Sequence, residues 1–134
     1  MGGTEPETIN VMLIASETLN QNIEKRSSPV VLRIYQLSQI DKFNNSDFFA
    51  LYENDKSILA EDITYREEFE VKPGQSTTIP LEINLDTKFI AVLAAFRDLD
   101  KAQWKSILEI DPLEPQAIKI NLDEFNVLIN IIPE

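Results

Sequence analysis

The side chains that could do chemistry are unevenly supplied: 23 acidic residues stand against 12 Lys and Arg, and histidine and cysteine are absent. Without imidazole or thiol, Ser-His-Asp and Cys-His nucleophile activation, imidazole proton transfer and His or Cys metal sites are all excluded. Carboxylates are what is left. A glycosidase-type pair needs one carboxyl raised in pKa by burial, whereas every acidic residue here is expected on a polar face or in a turn, as solvated charge. Asp98-Leu99-Asp100 carries two acids of a calcium loop but lacks that loop's glycine and distal glutamate, so it reads as a turn. Asn44-Asn45-Ser46 matches the glycosylation acceptor pattern, a match short enough to arise by chance, and Ser46 has another use as a helix cap. The three glycines, Gly2, Gly3 and Gly74, cannot be assembled into a phosphate loop, and no cofactor is expected. Trp104 with Phe96, Arg97 and Asp98 could line a sugar-stacking platform. The alternation of Trp104 with Ser106 and Leu108 favours core packing instead, with a local Arg97–Asp98 ion pair at the adjoining turn.

Charge and length narrow the classes further. A net charge of −11 disfavours nucleic acid, whose phosphates require clustered Lys and Arg, and suits a protein partner with basic patches. No run of about 18 apolar residues is present to cross a bilayer, and 134 residues fit one core. Met1-Gly2-Gly3 reads as an expression scar, and residues 1–8 as that scar plus a truncated N-terminal tether, with a single domain over 9–134.

The elements that must position these groups follow from periodicity. Ile9, Val11, Leu13 and Ala15 recur at every second residue, the period of a half-buried strand. A polar loop then feeds a β-branched strand over Val30–Leu37. Phe48, Leu51 and Tyr52 share a face at helical spacing, so a helical insertion is expected at about 41–60, capped by Ser46 and docked on the strands. Ile63, Tyr65, Phe69 and Val71 alternate with polar residues, and Pro73-Gly74 turns the chain into Thr77, Ile79, Leu81 and Ile83, which predicts a β-hairpin. Residues 89–96 are apolar throughout, as in a central strand covered on both sides, and 104–110 should pair with them. Alternation at 117–122 and 127–131 brings the count to about eight strands, hence an all-β, two-sheet β-sandwich with a short helical excursion.

Two segments, Pro29-Val30-Val31-Leu32-Arg33-Ile34-Tyr35-Gln36-Leu37 and Ala94-Ala95-Phe96-Arg97-Asp98-Leu99-Asp100-Lys101-Ala102-Gln103-Trp104, resemble the type VI secretion lipoproteins called TssJ or SciN. Phe43, Asp47-Phe48-Phe49-Ala50-Leu51-Tyr52 and Pro73-Gly74-Gln75 lie between them in that family's order, so the resemblance spans most of residues 9 to 132. It implies a transthyretin-like sandwich with an extra helical element and a non-catalytic role. It also implies acyl chains on a cysteine upstream of Thr4, holding the protein at the periplasmic face of the outer membrane. The implied partner is the periplasmic C-terminal region of the inner-membrane protein TssM. A carbohydrate-binding module is the alternative reading.

By the same resemblance the partner contact falls in the loop of Asn20, Gln21, Asn22, Ile23, Glu24, Lys25, Arg26, Ser27 and Ser28. The residues point there independently. Ile23 is a branched apolar residue among amides and charges, with no periodic pattern to bury it; it either fills a partner's pocket or folds back onto the sandwich. Lys25-Arg26 is the only adjacent basic pair and could orient a partner, or be solvated loop charge. Ser27-Ser28-Pro29 stiffens the loop's exit.

Overall fold

The computed structural model describes residues 5–133. Met1-Gly2-Gly3, the expected scar, lies outside them. The chain forms strands β1 (Thr8–Ala15) and β2 (Val30–Leu37), helices α1 (Asp41–Asn44) and α2 (Phe48–Leu59), and a 3-10 turn over Ala60–Asp62. Strands β3 (Ile63–Val71), β4 (Ser76–Glu82), β5 (Phe89–Ala94), β6 (Lys105–Glu109), β7 (Ile118–Asp123) and β8 (Asn126–Ile131) follow.

The strands make two four-stranded sheets, ordered β4-β1-β7-β8 and β3-β2-β5-β6. All pairings are antiparallel except β1 with β7. Period-two alternation turns Ile9, Val11, Leu13 and Ala15 of β1 and Ile118, Ile120 and Leu122 of β7 into the space between the sheets, against Val30, Leu32 and Ile34 of β2 and Ile90, Val92 and Ala94 of β5. Strands β2 and β5 are covered on the other face as well. There Tyr35, Leu37, Ala91 and Leu93 pack against Phe43, Phe48, Leu51 and Leu59 of the helical insertion, which forms a third layer. The near-continuous apolar character of 89–96 follows from that double coverage.

Three expectations need correction. β3 and β4 do not form a hairpin: β3 pairs with β2 and β4 with β1, so the chain changes sheets between them. The turn chemistry explains this. Gln75 N–H donates to the Lys72 carbonyl at 3.1 Å with Pro73 and Gly74 between, and Gly74 has φ +76°. Pro followed by a positive-φ Gly makes a type II turn, whose twist splays flanking strands instead of pairing them. The Gly74 and Ala15 N–H groups fix the turn to the end of β1, donating to the carbonyls of Ser16 (3.1 Å) and Gln75 (2.8 Å).

Second, α2 is capped by Asp47, whose carboxylate accepts from Ala50 N–H at 2.8 Å; the Ser46 hydroxyl donates to the Lys42 carbonyl of the preceding helix. Third, two acids are not surface charge. Asp55 and Asp62 are buried at 6% and 5% exposure. Asp55 is held by partners on β2 and β3, described below. Of the insertion residues expected to dock, Phe48 and Leu51 are buried, while Tyr52 is half-buried and stacks on Phe48 with ring centroids 5.1 Å apart.

Candidate functional site

The connection from β1 to β2 is built as two parts, a clamped base and a projecting tip. At the base Leu19 is fully buried and Asn20 nearly so, at φ +51°, a left-handed conformation that Asn tolerates better than most residues. Asn20 is bonded on every side. Its N–H donates to the Glu124 carbonyl at 2.7 Å, its side-chain amide donates to the Pro29 carbonyl at 3.0 Å, and its amide oxygen accepts from Arg97 N–H at 2.9 Å. The hydroxyls of Ser28 and Ser27 donate to the carbonyls of Asn20 and Glu17, both at 2.5 Å, closing the exit. These serines therefore act as internal staples.

The tip is folded by Asn22, whose side-chain oxygen accepts from the N–H groups of Glu24 and Arg26, both at 2.9 Å, in an Asx-type turn. Lys25 takes the positive φ of 60° that reverses the chain. The consequence is the placement of Ile23, which is 99% exposed. The alternative in which this side chain folds back onto the sandwich is overturned. Of the adjacent basic pair, Arg26 lies 3.7 Å from Glu24, both well exposed, a pair worth little in water. Gln21 borders the cleft beneath the tip.

That cleft, about 640 Å³ in volume, lies between Gln21, Asn22, Ile23 and Lys25 on one side and Arg97, Asp98, Lys101 and Phe125 on the other. Residues 97–101 belong to the β5–β6 connection and Phe125 to the β7–β8 turn, so three connections converge at one end of the sandwich. The start of β1 lies at the other end, since Thr8 pairs with Glu82 while Ile14 pairs with Ser76 beside the loop. The expected Arg97–Asp98 ion pair is not formed. Asp98 instead faces Lys101 at 4.0 Å.

The Type VI secretion lipoprotein family model, T6SS-SciN, whose members include VasD, EvfM and TssJ, matches residues 7–125. This chain belongs to the type VI secretion lipoprotein family. Among solved structures it is similar to the type VI secretion lipoprotein TssJ1 from Pseudomonas aeruginosa, with 29% identity and a TM-score of 0.92 over 97% of this chain and 99% of that one. It is also similar, at 31% identity and a TM-score of 0.78, to a chain in the structure of the T6SS protein TssM C-terminal domain from EAEC, over 91% of this chain and 99% of that one. Serratia marcescens Lip, a membrane-bound component of the type VI secretion system, shares the fold at 21% identity and a TM-score of 0.85, over 97% of this chain and 100% of that one. No curated protein matches the chain significantly in sequence.

The two sequence segments that carry the lipoprotein resemblance are neighbours in space. Leu32 of β2 pairs with Ala94 of β5, and Ala95 N–H donates to the Val31 carbonyl at 2.9 Å, so together they form the centre of one sheet and its exit toward the cleft. Trp104, at the end of the second segment, is half-buried: its ring meets that of Phe48 in a T-shaped pair with centroids 5.4 Å apart, and Lys105 Nζ lies 5.0 Å from its ring centre.

On the insertion side of the lipoprotein lies a buried ionic cluster that sequence reasoning missed. Asp55 Oδ2 accepts from the Tyr35 hydroxyl at 2.7 Å, from Arg66 Nε at 2.5 Å and from Arg33 Nη1 at 3.2 Å. Arg33, with its side chain 5% exposed, also meets Glu68 at 2.9 Å and donates to the carbonyls of Leu51 and Tyr52, beside the non-helical Asn54 that kinks α2. Burial opposes charge on Asp55, but the hydrogen bonds from Tyr35 and Arg66 and the two guanidinium charges outweigh it and hold the carboxyl below its usual range. A general acid requires the opposite shift. The cluster ties α2 to β2 and β3.

Proposed function

We propose that this lipoprotein is a non-catalytic subunit of the secretion apparatus that links the periplasmic C-terminal region of TssM to the outer membrane, with residues 20–28 as the contact. Lipid on a cysteine upstream of β1 would hold it at the periplasmic face of that membrane. The observation that carries the reading is Ile23, 99% exposed on a loop whose base and tip are fixed by internal hydrogen bonds. A large apolar side chain raised on a rigid tip suits insertion into a pocket with little ordering cost. Polarity of the fold supports it too: the loop lies at the end opposite the start of β1, so a tether at one end leaves the other facing a partner across the periplasm. Family membership, and likeness to a chain in the structure of the TssM C-terminal domain, agree with a role in the membrane complex.

The test is calorimetry of the purified protein with the TssM periplasmic region. Ile23→Asp combined with Arg26→Glu is expected to weaken binding by at least about tenfold, while circular dichroism and melting stay at wild type. Unchanged affinity in that variant would remove the loop from the interface.

A further inference from the structure

The cleft beneath the Ile23 tip inverts the charge of the molecule. The chain carries 23 acids to 12 bases, yet the cleft lining holds Lys25, Arg97 and Lys101 against Asp98 alone. Asp98 is drawn to Lys101, and among the described residues neither Lys25 nor Arg97 has an ion-pair partner. Arg97 is exposed, but its backbone is not free to drift, because its N–H is held by the buried Asn20 oxygen at 2.9 Å. A guanidinium on a fixed backbone at the edge of a concave surface offers two parallel N–H donors to a carboxylate. Ile23 and Phe125 supply an apolar rim, and Phe125 is itself steadied edge-on by Phe96 at 6.2 Å.

We propose that this cleft receives an acidic segment of the protein partner, with a carboxylate seated on Arg97 and the Lys25 and Lys101 ammonium groups adding long-range attraction. The proposal rests on the reading that residues 20–28 face that partner, and it adds the β5–β6 connection to the contact. A protein segment suits the site better than an anionic membrane. The cleft lies at the end of the sandwich away from the start of β1, so a tether upstream of that strand would hold the cleft away from the membrane surface. Charge complementarity of this kind governs association rate and salt sensitivity as well as affinity.

The experiment measures binding of the TssM periplasmic region to the full chain at about 50 mM and about 500 mM salt, for wild type, Arg97→Glu with Lys101→Glu, and Ile23→Asp with Arg26→Glu. Expected are at least about tenfold weaker binding of the Arg97/Lys101 variant at low salt, a shallower salt dependence than wild type, and unchanged melting, since Arg97 anchors through its backbone. Arg97→Lys, which keeps charge but loses the fork, should fall between. Wild-type affinity and salt slope in the Arg97/Lys101 variant, with the Ile23/Arg26 variant still impaired, would overturn the cleft while leaving the loop in the interface. Wild-type affinity in the Ile23/Arg26 variant would overturn the underlying reading. Binding of wild type to phosphatidylglycerol vesicles that is abolished by charge reversal, with TssM binding untouched, would assign the cleft to lipid and refute the proposal.

Discussion

Strand β2 is flanked by two excursions from the sandwich, and they use the same kinds of residue in opposite ways. Residues 38–62, which follow it, turn Phe43, Phe48, Leu51 and Leu59 inward and bury a carboxylate among two arginines and a tyrosine. Residues 16–29, which precede it, bond their amides and hydroxyls to one another and leave the tip isoleucine in water. In the first, apolar groups hold the fold and polar groups fix its register. In the second, Leu19 anchors the base in the core, polar groups hold the shape above it, and the tip isoleucine is left for something outside the chain. An insertion can therefore be sorted into scaffold or contact by asking where its large apolar side chain goes and what its polar atoms bond.

The sharpest way to break this contrast is to truncate the insertion's aromatic anchor. Phe48 is 7% exposed and touches the rings of Phe49, Tyr52 and Trp104 at 5.1 to 5.4 Å. Phe48→Ala should cost roughly 3 to 5 kcal/mol through lost burial and the cavity left behind, lowering the melting temperature by on the order of 10 °C. Retained melting with lost TssM binding would turn the insertion into a contact surface and erase the distinction.

Next in size is the ionic cluster. Asp55→Ala leaves Arg33 and Arg66 without their shared carboxylate. Arg33 keeps Glu68 at 2.9 Å, so the expected loss is about 3 kcal/mol, the lower end for a broken buried pair. The cluster also has a pH signature. The folded-state pKa of Asp55 lies below its ordinary 3.8, so its contribution is present above that value and is lost as pH falls through the folded pKa. Denaturant unfolding between pH 7 and pH 2.5 should show wild type losing more stability than Asp55→Asn as the pH drops below about 4. Parallel curves would mean that the Asp55 carboxyl titrates alike in the folded and unfolded chain, and a wild-type advantage that grows as pH falls would mean that it is held neutral in the fold.

How far these regions could be read in sequence follows from the range of their interactions. β1, β2 and the doubly covered β5 show in residue-to-residue periodicity, because burial on one face or both is a local pattern. The Pro73-Gly74 turn was legible as a turn, but which strands it joins depends on its type II twist and on bonds to β1, 58 to 60 residues away. Asp55 reads as one more surface acid because its partners, Arg33 and Tyr35, lie 22 and 20 residues upstream on another element. Ile23 was legible as an apolar residue without a pattern. Its cleft was not, since Arg97 joins it through a bond spanning 77 residues. Arg97-Asp98-Leu99-Asp100-Lys101 did stand out as a charged turn, and only the topology puts that turn beside the loop.

The smallest effect tests the contact region on its own terms. Asn20 lies within the predicted loop, but at 4% exposure its side chain cannot be what a partner touches. Its oxygen orients Arg97 and its amide group ties the loop's entry to its exit at Pro29. Asn20→Ala removes both bonds and places a β-carbon residue without local compensation at φ +51°, which should cost about 1 to 3 kcal/mol. Asn20→Gly removes the same bonds while relieving the backbone term, so the difference between the two variants isolates the conformational part. Ile23→Asp, by contrast, should leave melting unchanged because Ile23 packs against nothing in the folded chain. The decisive measurement is binding. If the partner reads the shape of the loop, both Asn20 variants weaken TssM binding at temperatures where they remain fully folded, although neither alters an exposed side chain. If both bind as wild type, the fixed loop geometry is a by-product of packing, and only the Ile23 side chain counts.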